Sequence, residues 1–129
     1  MKKLGVIVNP VAGIGGRVGL KGSDGNEIQQ RARSLGAFPE APRRAADTLA
    51  LLRELSDKIE VITYPREMGE DETRTSGLKP TVIGSIVSGK TTSEDTCRAA
   101  VEMEKLGVDL ILFAGGDGTA RDIFSAIER

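Results

Sequence analysis

The apolar run Val108 to Phe113, stopped by Gly115-Gly116-Asp117-Gly118-Thr119 and followed by the helix-like ending Ala120 to Arg129, constrains this chain more than any other stretch. A run without polar alternation predicts a strand covered on both faces, which belongs in a parallel sheet between helix layers. The glycines set its end. Three of them around one carboxylate let the backbone turn sharply and bring N–H groups against a ligand, because no Cβ blocks the approach. That suits phosphate, and a helix starting near Thr119 adds free N-terminal N–H groups and the positive end of its dipole. Asp117, alone among glycines, is the one side chain of the turn able to do chemistry. A tight turn and nothing more is the plain alternative on these residues alone.

The rest of the chain repeats the alternation of strand, loop and helix. Leu4 to Val8 reads as a short buried parallel strand ended by Asn9-Pro10. Val11 to Asn26 is too rich in glycine for a regular element, so it reads as a loop leaving the carboxyl end of a strand, where open α/β sheets bind their ligands. In that loop Asn9, Gly13, Gly15 and Gly16 shape a binding wall, and Arg17 and Lys21 reach phosphates; the alternative is a solvated connection. A dinucleotide fingerprint does not fit, since Val18 stands where its third glycine belongs.

Glu27 to Leu35 predicts a short helix ending at Gly36. Pro39 to Asp57 predicts a longer one with Pro42 in its first turn, Ala46, Leu49, Leu52 and Leu55 on the inner face, and Arg43, Arg44 and Arg53 solvating the outer face. Ile59 to Thr63 is the second strand, stopped by Pro65. Glu67, Glu70, Asp71 and Glu72 fit an exposed helix better than a magnesium cage.

Thr81 to Val87 predicts the third strand and contains a competitor. Gly84 to Thr91 matches the P-loop pattern GxxxxGK[ST] literally. A P-loop follows a full buried strand, whereas only Thr81-Val82-Ile83 would precede this one, and Ile86 and Val87 fit better as the end of a strand. Ser88-Gly89-Lys90-Thr91 is then its exit loop, with Lys90 incidental or a secondary phosphate contact. Thr92-Ser93-Glu94-Asp95 is a capping box opening a helix with Cys97, Ala100, Val101 and Leu106 inward and Gly107 at its end. An acidic first turn opposes anions, which directs the hydroxyls of Thr91, Thr92 and Ser93 to ribose or amide groups; a well-capped packing helix is the alternative.

Four strands separated by helices predict an α/β domain over residues 1–129, three-layered and Rossmann-like, with a mainly parallel sheet and helices on both faces. The glycine-rich exits of strands one, three and four then share one edge. Strand order does not follow from the pattern.

Composition narrows the chemistry. A net charge of −1 offers no basic face to a nucleic acid or a membrane, and no stretch is long enough to span a bilayer. The lone Cys97 rules out an internal disulfide and a cysteine metal cluster and fits a reducing cytoplasm, while the absence of histidine removes Ser-His and Cys-His catalysis and His-ligated zinc. Acid–base work falls to Asp, Glu, Lys, Tyr64 or Cys97. Met1-Lys2-Lys3 opens like a secretion signal, but Asn9-Pro10 cuts the apolar run short.

GGDGT behind an apolar strand resembles the superfamily of NAD kinases, diacylglycerol and sphingosine kinases and, more distantly, phosphofructokinases. Leu4 to Gly13, a strand followed by Asn9-Pro10 and Ala12-Gly13, is similar to the NPxAG opening of the same group. GGRVGLKGSDG at Gly15 to Gly25, TTSEDT at Thr91 to Thr96 and GGDGTARD at Gly115 to Asp122 resemble the ATP-NAD kinase branch that includes the AcoX-like proteins. The resemblance implies transfer of phosphate from ATP or polyphosphate to the adenosine 2′-hydroxyl of NAD with magnesium. It implies nucleotide substrates, a homo-oligomer at full length, and no metal-ligating cage of the chain's own. Asp117 would orient or deprotonate the acceptor hydroxyl, and Gly115, Gly116, Gly118 and Thr119 would hold nucleotide phosphates. A Met-Gly-Glu stretch in that branch gives Met68-Gly69 a possible substrate-facing role. In the family a β-rich second domain with an Asn-Asn-Glu type motif grips the NAD, which leads us to expect an N-terminal domain contributing half a site and inactive alone. A lipid kinase, a P-loop NTPase and a non-catalytic nucleotide-binding AcoX-like module are the alternatives.

Overall fold

The computed structural model describes residues 1–11 and 40–127. Four parallel strands, β1 (Lys2–Val8), β2 (Ile59–Thr63), β3 (Pro80–Val82) and β4 (Leu110–Ala114), lie in the order β3-β2-β1-β4. The described helices are α1 (Ala41–Ala50), α2 (Glu70–Thr75), α3 (Ser93–Lys105) and α4 (Asp117–Ala126). Successive side chains of β1 point to opposite faces and so divide the core in two. Leu4, Val6 and Val8 pack with Ala41, Ala45 and Leu49 of α1, whereas Ile7 packs with Ala99, Ala100 and Met103 of α3 and Ile123 of α4. The result is a three-layer, Rossmann-like α/β sandwich, as the alternation of elements predicts.

Several boundaries differ from the sequence reading, each for a local reason. Helix α1 ends at Ala50, and a single 3-10 turn at Arg53–Leu55 leads the chain back to β2. Leu49 is buried as expected and Leu52 packs partly buried against the core, but Ala41 and Ala45, not Ala46, complete the inward row, and Leu55 is exposed. Pro42 sits in the first turn, where a missing N–H costs nothing. Helix α3 begins at the expected capping box, Thr92 with Asp95, but turns Thr96, Ala99, Ala100 and Met103 inward; Cys97 is half-buried and Leu106, beyond the last turn, is exposed.

The third strand stops at Val82 rather than Val87. Ile83 donates the last bond toward the sheet, to Thr63 O at 2.8 Å, and Gly84 at φ +72° then turns the chain out of the extended path. Among the described strands β4 lies at an edge, and its apolar run is not covered on both faces: Leu110 is 65% exposed and Phe113 39%. Met68 is fully buried among Ile7, Ile62 and Tyr64, which removes it from any substrate-facing role. Glu72 is buried too, against the expectation of a solvated acidic helix. Among the described residues, no helix is long and apolar enough to cross a membrane.

Candidate functional site

β1 and β4 are neighbours in parallel register, Val8 beside Ala114, so their carboxyl ends open side by side. Asn9 ties the two exits together. Its backbone N–H donates to Ala114 O at 2.9 Å, its side-chain Nδ2 donates to Thr119 Oγ1 at 3.0 Å, and its Oδ1 accepts the N–H of Val11 at 3.2 Å. An amide side chain carries both the donor and the acceptor that this bridge uses.

Thr119 is buried, its hydroxyl turned to Asn9. Gly115 makes room for it: a Cβ at Gly115 would stand 2.4 Å from Thr119 Oγ1 and 2.6 Å from its Cβ. At Gly116 and Gly118 a Cβ would meet nothing within 4 Å. Helix α4 starts at Asp117, two residues earlier than the sequence suggests, with Gly116 as N-cap. The first N–H groups of a helix have no acceptor within it, so those of Asp117, Gly118 and Thr119 are available to an anion at the positive end of the dipole. Asp117 is exposed beside them.

A cavity of about 370 Å³ lies against this elbow, a size usual for small-ligand sites. Val6, Leu112, Phe113, Ala114, Gly115 and Gly116 line its sheet side, and Glu40, Ala41, Arg44, Ala45 and Thr48 its helix side. Arg44 therefore does not simply solvate an outer face: its side chain is largely exposed, yet it lines the cavity and pairs with Glu40 at 3.4 Å. Position along the helix is what could have revealed this. The first turn of a crossover helix starts at the rim where parallel sheets bind ligands, so a charged residue there belongs to the rim.

β3 lies at the other edge of the sheet. All four strands are parallel, so the β3 exit shares the rim with the elbow, three strand spacings away, or roughly 14 Å. Thr92 is engaged in capping α3, its N–H donating to Asp95 Oδ2 at 2.9 Å, and Thr91 beside it is half-buried.

The literal P-loop pattern at Gly84 to Thr91 is occupied by the protein's own groups. A Cβ at Gly84 would stand 2.4 Å from the ring of the fully buried Tyr64, so this glycine admits an aromatic edge. Gly89 N–H donates to the Glu67 carboxylate, as does the Ser88 hydroxyl at 2.7 Å. Burial works to raise the Glu67 carboxyl, but these two donors, helped by Arg66, hold it below its ordinary value, which keeps a negative charge where a phosphate would need to sit. The Tyr64 hydroxyl donates to Glu102, and Arg98 lies over the Tyr64 ring and donates to Ser85 O at 3.1 Å, fastening the loop to α3.

The Cys97 thiol is pushed up by burial, with Asp122 and Glu94 adding to the effect, which disfavours the thiolate, and its Sγ lies 3.5 Å from Asp122 O. Among the described residues no group of three or more His, Cys, Asp or Glu side chains converges on a metal position. Of the residues predicted for the site, the structure gathers Asn9, Pro10, Gly115, Gly116, Asp117, Gly118 and Thr119 at one place on the rim. Gly13, Gly15, Gly16, Arg17 and Lys21 lie outside the described residues.

Comparison with curated proteins and with solved structures finds no match. A family model does match, over residues 4–129 and therefore nearly the whole chain: the protein belongs to the ATP-NAD kinase N-terminal domain family.

Proposed function

We propose that this domain is the nucleotide-binding part of an NAD kinase-type phosphotransferase, in which ATP or polyphosphate phosphorylates the adenosine 2′-hydroxyl of NAD. The observation that carries the reading is the elbow itself: an exposed acid on the first residue of α4, flanked by two glycines with open space above them, beside a ligand-sized cavity. Phosphoryl transfer asks mainly for positioning and charge neutralisation, and preorganised N–H groups supply both without reorganising during the reaction. Gly116, Gly118 and the start of α4 cradle the phosphates through the backbone. Thr119 contributes its N–H, since its hydroxyl is engaged with Asn9.

Asp117 receives the hydrogen bond of the acceptor hydroxyl and aims it. A carboxylate is a weak base for an alcohol, so this is chiefly orientation in a loose transition state. Among the described residues no three acidic side chains converge on a cation, so magnesium would come with the nucleotide; Asp117 would be the carboxylate beside it, and the ion would neutralise phosphate charge. Thr91 and Thr92 serve the ribose side.

The test is Asp117→Asn in the full-length enzyme. Calorimetric affinity for ATP and NAD should stay within about threefold, while NADP formation falls by roughly 10²-fold or more, the usual cost of losing the group that aims a reactant. Unchanged turnover would overturn the assignment.

A further inference from the structure

The cavity at the elbow has a charge requirement that the elbow alone does not meet. Polyphosphate brings several negative charges, helix N–H groups offer only partial positive ones, and Asp117 adds a negative charge of its own. Among the described side chains lining the cavity, Arg44 is the cation and Glu40 the anion; they face each other at 3.4 Å, and Arg43 stands 3.9 Å from the same carboxylate. The pairing of Arg44 with Glu40 is cheap to break. It is an i,i+4 contact on a surface, with the Arg44 side chain 70% exposed, and such pairs contribute little because water and salt screen them.

We infer that the cavity between α1 and Gly115-Gly116 takes the phosphate end of a nucleoside di- or triphosphate, and that Arg44 leaves Glu40 to grip it. The inference rests on the reading of the elbow as a phosphate cradle and deepens it by naming the counter-charge. A guanidinium presents parallel N–H groups that match two phosphate oxygens at once, and its charge-assisted bonds outweigh a screened surface pair. Glu40 then acts as the placeholder that keeps Arg44 at the cavity before the ligand arrives.

Titration calorimetry with ADP and with adenosine on the wild type, Arg44→Ala and Glu40→Gln tests this. Arg44→Ala should weaken ADP at least tenfold and leave adenosine within twofold, and Glu40→Gln, which frees the guanidinium, should tighten ADP two- to fivefold. Circular dichroism should be unchanged in both, since neither side chain is in the core. Equal losses for ADP and adenosine in Arg44→Ala, or an unchanged ADP affinity, overturn the role of Arg44. A Glu40→Gln protein that binds ADP no more tightly overturns the exchange of partners. A wild type that binds neither ADP nor NAD sinks the phosphotransferase reading together with this one, whereas normal wild-type binding that is indifferent to Arg44 sinks this one alone.

Discussion

Gly115 and Gly118 stand three residues apart in one motif and serve different ends. An added methyl at Gly115 collides with the buried Thr119, whose hydroxyl holds the Asn9 amide, so Gly115→Ala should cost about 1–3 kcal/mol in urea denaturation, as overpacking does. Gly118 lies within α4 at an ordinary backbone conformation, with open space where a Cβ would stand. Gly118→Ala should therefore stabilise the fold by up to about 1 kcal/mol through helix propensity and lower unfolded-chain entropy. The same variant should lose nucleotide affinity in calorimetry, because the methyl fills the approach to the cradle. If affinity survives, that glycine is not kept for a ligand. The sequence showed three equivalent glycines; it could not show that Thr119 points inward, because its partner Asn9 lies 110 residues away along the chain.

At the scale of elements, the segment Gly84 to Thr91 separates a spacing from a structure. A phosphate-binding loop keeps its first glycine and its amides for the ligand, whereas here the Tyr64 ring lies against Gly84 and the Glu67 carboxylate takes the N–H of Gly89. Gly84→Ala should thus destabilise the fold by roughly 2–4 kcal/mol, combining a positive φ with a clash against a buried aromatic ring. Lys90→Ala should leave ATP binding within twofold by calorimetry. A P-loop reverses that ranking. Strands β1 and β2 were legible because Leu4 to Val8 and Ile59 to Thr63 are apolar runs with clear stops. The inner faces of α1 and α3 are legible only in part: Leu49 and Ala100 are buried as the spacing predicts, but adjacent small residues, Ala45 with Ala46 and Ala99 with Ala100, leave the helical phase ambiguous. The exposure of β4 was out of reach, since strand order is settled by tertiary packing.

For the whole molecule, a net charge of −1 conceals a carboxyl that the fold has taken out of water. Glu72 sits in a run of acids that reads as solvated, yet α2 packs on α1 and turns it inward, 5% exposed, with no hydrogen-bond partner for Oε1. Thr63 Oγ1 and Thr73 Oγ1 are buried without partners as well. Burial pushes the Glu72 carboxyl up to about 7 from an ordinary 4.5; backbone N–H groups oppose the shift, and the charges of Asp71 and Glu67 reinforce it. The folded state therefore holds this proton more tightly than the unfolded chain. Its stabilising effect is complete below pH 4.5 and is lost as pH rises toward 7, a fall of about 3 kcal/mol for the whole span. Glu72→Gln removes the ionisation and keeps the shape. Urea midpoints taken from pH 5 to pH 8.5 should decline in the wild type up to about pH 7 and then level, while the variant omits this decline and is the more stable protein at pH 8. If the two profiles run parallel, the Glu72 carboxylate is ionised in the folded protein at neutral pH, and the packing of α2 on α1 must leave it a route to water.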